Sequence, residues 1–132
     1  LIRGCATDLP NDVEAALEKA ADAEDGIARE VLGTLLANIK IARSKSLPMC
    51  QDTGTLIFYV TCPKSADKDK LREIIIESVR EATYCVPLRA NAVDALSGVN
   101  SGDNTGLGVP AIHFSEWDRD TVKVELMLKG GG

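Results

Sequence analysis

The sequence predicts an α+β domain, α/β-like in layering, in which three helices pack on a small mixed sheet that includes a carboxy-terminal hairpin. Three observations predict it. Apolar residues recur at helical spacing twice in the first 46 positions and once more after residue 66, a continuous β-branched and aromatic run fills Thr55 to Cys62, and two further strand-like runs lie near the carboxy end. The chain has 132 residues, enough for one domain with a modest core. Hydrophobic residues at 45% and charged residues at 27% are ordinary for folded proteins, so disorder is not the default reading.

The first helix is expected at about residues 12 to 24, with Asn11 as cap, Glu14 in the capping-box position, and Val13, Leu17, Ala20 and Ala21 on one face. After Asp25 and Gly26, the positions Ile27, Val31, Leu35 and Ile39 repeat beside Ala28, Leu32, Leu36 and Ala42, which predicts a second, stronger helix. Lys40, Arg43 and Lys45 near its end complement the helix dipole. Pro48 stops any continuation, and Leu47 to Gly54 (LPMCQDTG) reads as a loop. The run from Thr55 to Cys62 is typical of a strand covered on both faces. Following a turn at Pro63 to Ala66, a third helix begins near Asp67, with Leu71, Ile75, either Ser78 or Val79, and Ala82 inward and Lys70, Arg72, Glu73, Glu77 and Arg80 outward.

Pro87 ends that helix. The Gly- and Asn-rich stretch from Arg89 to Gly108 is too long for a simple connection, and loops of that length are usually functional or disordered. Val109 to Phe114 and Val122 to Leu128 are expected as strands, joined into a hairpin by the polar turn around Trp117 to Asp120. No internal repeat or low-complexity tract interrupts the chain, which is read as a single domain.

A net charge of -5 argues against a nucleic-acid backbone or an anionic membrane as the main partner, because both require a basic surface. No apolar stretch reaches the roughly 18 residues of a spanning helix, and the first ten residues lack the layout of a targeting signal. A cytoplasmic setting is the simplest expectation. Opening on Leu1 and closing on three glycines, the chain reads as a fragment of something longer.

Cys5, Cys50, Cys62 and Cys85 include no pair at the short spacing of zinc knuckles, so a complete metal site within the chain is not expected. Cys5, Cys62 and Cys85 are expected as buried thiols behaving as small hydrophobes. Cys50 differs by lying on the loop directly before Gln51 and Asp52. A thiolate there could bind metal, and the ordinary alternative is a reduced loop thiol beside a turn. Asp52 could orient a hydroxyl or relay a proton, or simply close an Asx-turn near Gly54. Arg89 at the mouth of the long loop suits a carboxylate clamp, or is a solvated surface arginine.

The glycines Gly98, Gly102, Gly106 and Gly108 match no nucleotide-phosphate fingerprint. Gly130 to Gly132 are either an anion nest or a flexible end. His113, the only histidine, falls inside an expected strand and reads as structural.

Taken in order, Leu47 to Gly54 (LPMCQDTG), Leu88 to Val93 (LRANAV), Asn100 to Pro110 (NSGDNTGLGVP) and Lys129 to Gly132 (KGGG) resemble the signature of class I fumarases, nearest to the two-subunit type that includes the α subunit of L(+)-tartrate dehydratase. The resemblance implies a hydro-lyase using a four-iron, four-sulfur cluster held by three cysteines, one iron being left open for a hydroxy acid. It assigns Cys50 to the first cluster cysteine, Gln51 and Asp52 to polar substrate contacts, Arg89 to a substrate-carboxylate clamp and Gly132 to a backbone contact. It places the other two cluster cysteines beyond this stretch and the proton-abstracting base in a β subunit or carboxy-terminal domain. The expected substrate is a small dicarboxylate, the complete enzyme is expected to be oligomeric, and this stretch alone is expected to be inactive. Two non-catalytic readings stand beside it: an assembly module docking a partner subunit, and a small-anion binding module.

Overall fold

The computed structural model describes residues 1–85 and 88–130. Pro87, expected to stop the third long helix, and Gly131 and Gly132 therefore lie outside the described residues. The elements run α1 (Ile2–Thr7), α2 (Asn11–Ala23), α3 (Gly26–Lys45), β1 (Thr55–Pro63), α4 (Lys68–Cys85), β2 (Ala111–Trp117) and β3 (Lys123–Lys129). The three long helices and three strands are those the periodicities predict. The short α1 is additional: six residues carry too few turns for a periodic signal, and its Ala6 and Thr7 become buried only through tertiary contact.

Helix starts differ from expectation in one place. Asn11 is the first helical residue of α2 rather than its cap, since Pro10 occupies the cap position and its carbonyl accepts the Val13 and Glu14 amides. The Glu14 carboxylate is turned to Arg43 on α3 instead of back to the helix start. At α4 the expected start holds, with Asp67 Oδ1 accepting the Lys70 amide at 2.9 Å. Ser46, in the left-handed region at φ 51, terminates α3.

The sheet has the order β2-β1-β3, with β2 parallel and β3 antiparallel to β1. This corrects the expected hairpin: β2 and β3 never pair, and each instead pairs with β1. The reason lies in β1, the most apolar strand, which takes the centre and a neighbour on each side. Two strand spacings amount to roughly 10 Å, which the five residues from Asp118 to Val122 can cross over the end of β1. That connection is pinned by Trp117 Nε1, which donates to Thr121 O at 2.8 Å, and by Arg119 over the Trp117 ring at 5.0 Å.

Leu56, Phe58, Val60 and Cys62 of β1 form the core with Ile75, Val79 and Ala82 of α4, Ala6 of α1 and Leu88. Burial along β1 alternates rather than covering both faces as the continuous apolar run predicts: Tyr59, on the other face, is 43% exposed and stacks on His113 at 5.2 Å between ring centroids. Of the helices, α4 and α1 cover the sheet, whereas α2 and α3 pack on one another and α2 buries none of its residues. The expectation of all three long helices on the sheet is thus met only by α4.

Candidate functional site

The loop that carries Cys50 is fixed at both sides of Met49. The Met49 amide donates to Ala6 O of α1 at 3.0 Å, and Asn38 Nδ2 of α3 donates to Met49 O at 2.9 Å. This is the local role of the α1 turn and of the end of α3: together they hold the residue before Cys50, which itself is exposed. Cys50 lines a cavity of about 240 Å³ with Cys5, Ala6, Leu9, Met49, Asp52, Thr53 and Leu128.

The two thiols in that cavity differ in chemistry. Burial pushes the Cys5 thiol above its ordinary pKa, and its Sγ is 3.8 Å from Leu126 O, as a weak donor would be. Cys5 is therefore less readily deprotonated than a solvent-exposed thiol. Cys62 is fully buried, as expected, and Cys5 is partly so, but Cys85 is exposed at the end of α4, contrary to the expectation of a buried thiol.

Asp52 closes the expected Asx-turn, its Oδ1 accepting the Gly54 amide at 2.8 Å. The same oxygen accepts Asn91 Nδ2 at 2.9 Å, so the carboxylate also ties the Cys50 loop to the long loop. Gly54, at φ 79, permits this approach. A Cβ there would lie 2.7 Å from the carbonyl carbon and oxygen of Lys129. On the far side of Asp52, a Cβ built on Gly130 would sit 3.7 Å from its Oδ2, which puts the start of the glycine run against the carboxylate.

A second, open cleft of about 460 Å³ is lined by Asp52, Gly54, Thr55, Ala90, Asn91, Val93, Asn100 and Lys129. Asp52 is thus shared by the Cys50 cavity and by the cleft of the long loop. The long loop is tied to the Cys50 loop through Asp52, and the residues lining the cleft do not include Cys50 itself. Arg89 is exposed and is held by its backbone, whose amide donates to Thr53 Oγ1 at 2.9 Å; its neighbours Ala90 and Asn91, rather than Arg89, line the cleft. Gln51 is exposed and lines neither space. Gly132 is outside the described residues. His113 lies within the edge strand β2 and stacks on Tyr59 of β1, in keeping with a structural role.

Residues 89–109 are organised by polar side chains. Asp94 Oδ1 accepts the amides of Leu96 at 3.1 Å and Ser97 at 2.7 Å, Asn100 Nδ2 donates to Ala90 O at 2.7 Å, and Asp103 Oδ1 accepts the Thr105 amide at 2.9 Å. At the centre is Asn104, 2% exposed and at φ 60. Thr53, Asn91, Asn100 and Asn104 were not singled out by sequence reasoning. The available signal was the run of Asn, Asp and Gly itself, because Asn is the non-glycine residue best suited to left-handed backbone and side chain-to-backbone bonds.

Among the described residues no cluster of three or more His, Cys, Asp or Glu side chains is arranged to hold a metal ion. Cys50, exposed and in a cavity that it shares with Asp52, presents a single thiol that could ligate a metal. No described helix is long and apolar enough to cross a membrane.

A relative named "Putative fumarate hydratase class I", from Geobacillus stearothermophilus, is 41% identical over 134 residues, covering 100% of this chain and 26% of the relative. The L(+)-tartrate dehydratase subunit alpha of Escherichia coli strain K12 is 36% identical over 129 residues, covering 96% of this chain and 43% of the relative, and the Shigella boydii serotype 4 protein of the same name matches to the same extent. The chain thus spans about a quarter of the first relative and less than half of the others. The family model described as fumarate hydratase (Fumerase) matches residues 1–132, and with 41% identity to a member-named relative the chain belongs to the fumarate hydratase family.

Proposed function

We propose that this chain is the amino-terminal part of an iron–sulfur hydro-lyase that reversibly adds water across the double bond of fumarate to give malate. The observation that carries the reading is the double placement of Asp52, which borders both the cavity of the exposed Cys50 thiol and the polar cleft of the long loop. A ligand held at the thiol side and a dicarboxylate in the cleft would meet at this carboxylate. Asp52 is the catalytic residue of this reading, accepting a hydrogen bond from the hydroxyl that is added or lost. In this reading the Arg89 guanidinium, carried by an exposed side chain next to the cleft residues Ala90 and Asn91, turns in to clamp a substrate carboxylate, the exposed Gln51 makes a polar contact to the substrate, and Gly132 supplies a backbone contact.

Cys50 and two cysteines outside this chain would hold the four-iron, four-sulfur cluster, which supplies Lewis acidity for dehydration without net redox change. The base that abstracts the carbon-bound proton comes from a β subunit or carboxy-terminal domain, so the 132-residue chain by itself is inactive. The single domain read here is one part of an oligomeric, cytoplasmic enzyme that uses neither nucleic acid nor membrane. Dehydration of L(+)-tartrate is the second reading, favoured by the 36% identity to the tartrate dehydratase subunit; it differs in the hydroxy acid and uses the same residues.

Anaerobic reconstitution of the full-length chain with its partner tests the proposal by visible absorbance and by hydration of fumarate. The expected result is a cluster band that Cys50→Ala abolishes, with malate binding weakened in Arg89→Ala. A missing band, or one indifferent to Cys50→Ala, would point instead to an assembly or anion-binding module.

A further inference from the structure

We propose that Asn104 is the positioning residue of this site: its buried amide sets the Arg89–Ala92 segment against Asp52 and Thr53, and so fixes where the carboxylate clamp stands relative to the catalytic carboxylate. The inference rests on the hydro-lyase reading for its functional consequence, but its structural content stands on this geometry alone.

Four hydrogen bonds converge on one side chain. Asn104 Oδ1 accepts the Asn91 amide at 2.8 Å and the Ala92 amide at 3.2 Å, while Nδ2 donates to Arg89 O at 2.9 Å and to Thr83 Oγ1 of α4 at 3.2 Å. A buried primary amide has two donors and one oxygen acceptor, and here both ends are engaged. Thr83 is itself anchored, its hydroxyl lying 2.8 Å from Val79 O and 3.0 Å from Asp103 O, so Asn104 ties the segment to a helix packed in the core. Across the segment the contact is completed by Thr53 Oγ1, which accepts the Arg89 amide at 2.9 Å, and by Asn91 Nδ2, which donates to Asp52 Oδ1 at 2.9 Å. The path from helix to carboxylate therefore runs Thr83, Asn104, Asn91, Asp52, and every link is a hydrogen bond.

The position also demands this residue type. At φ 60 an ordinary side chain is strained and glycine is the usual solution, yet glycine would supply none of the four bonds. Asn104 touches no substrate in this proposal. It acts through Arg89 and Asp52, and displacement of reacting groups by about 1 Å is enough to cost about 10²-fold in rate.

The test uses the full-length chain, reconstituted anaerobically with its partner, as wild type, Asn104→Gly, Asn104→Asp and Asp94→Ala. Asn104→Gly keeps the backbone conformation and removes the amide. Asn104→Asp restores the acceptor for the Asn91 and Ala92 amides but not the donor to Arg89 O. Asp94→Ala loosens the outer end of the same loop, where Asp94 receives Leu96 and Ser97, without touching this network.

For Asn104→Gly the expected result is a fall in kcat/KM for fumarate of about 10²-fold with a raised KM, partial recovery in Asn104→Asp, and little change in Asp94→Ala. A merely structural defect lowers the active fraction, hence kcat, and leaves KM unchanged. Independently of activity, amide exchange at Asn91 and Ala92 is expected to be about tenfold faster in Asn104→Gly and close to wild type in Asn104→Asp. Unchanged exchange, an unchanged KM in Asn104→Gly, or an equal loss in Asp94→Ala would overturn the proposal. A wild-type chain that forms its cluster but hydrates no fumarate would overturn the functional reading instead, and amide exchange then decides the positional claim.

Discussion

β1 buries Leu56, Phe58, Val60 and Cys62 beneath α4, whereas residues 89–109 expose Val93, Leu96, Val99 and Leu107 and are organised around Asp94, Asn100, Asp103 and Asn104. The sheet draws its stability from area removed from water, a term that is non-directional and tolerant of which apolar side chain supplies it. The loop depends on particular oxygen and nitrogen atoms at particular distances, and such bonds fail if one partner is changed. Order reached in the second way fixes atoms precisely without a large core. That is the quality required of the residues around Asp52, and it explains why the long loop supplies four of the eight residues lining the cleft and the sheet only Thr55 and Lys129.

The largest effect that would sharpen this contrast is expected in the core. Leu56→Ala empties a position only 1% exposed in the central strand, and such truncations cost about 2–5 kcal/mol. Denaturant titration reads it, and an apolar replacement of similar volume is expected to recover most of the loss. A loss below about 1 kcal/mol for the alanine variant would mean that the sheet is not held by packing.

Thr53→Val comes next, and here shape is conserved while one atom's chemistry is lost. Removing the hydroxyl leaves the Arg89 amide without its 2.9 Å acceptor, at a cost of about 1–3 kcal/mol. Amide exchange at Arg89 should rise well above that of β1. If valine were tolerated as well there as in the core, the distinction between the two regions would collapse.

The smallest effect concerns pH. Burial raises the Asp103 carboxyl, but hydrogen bonds from Thr105, with Ser101 and Arg80 in addition, outweigh it and hold the group below its ordinary 3.8. Because the folded pKa is the lower one, the stabilisation is complete above the unfolded value, near 3.8, and drains as pH falls through the folded value. Amide resonances of Asn104 and Thr105 are expected to hold steady from neutral pH down to about 5 and to shift only in stronger acid. Asp94, held below its ordinary value by the Ser97 amide and hydroxyl and the Leu96 amide, responds in the same direction. A transition near neutrality would contradict the assignment.

Sequence patterning reached furthest where burial is a local property. The helix beginning near Asp67 was legible because Leu71, Ile75, Val79 and Ala82 fall on one face, and β1 because its apolar run is bounded by Gly54 and Pro63. The Asx-turn at Asp52 was legible too, as it spans only two residues. The hairpin was not: a polar turn between two strands carries no information on whether they pair with one another or with a third strand that is more apolar than either.

What the sequence determined by itself is the three long helices, the three strands, a loop cysteine beside an acid, and the family, because periodicity and motif are written in neighbouring residues. Only the tertiary structure decided the strand order, the sharing of Asp52 between two cavities and the four hydrogen bonds of Asn104. Those rest on partners far apart in the chain, such as Thr53 with Arg89 at a separation of 36 and Asn91 with Asp52 at 39. A hydrogen bond needs its two atoms within about 3 Å, and no local pattern specifies which distant segment will bring the second one there.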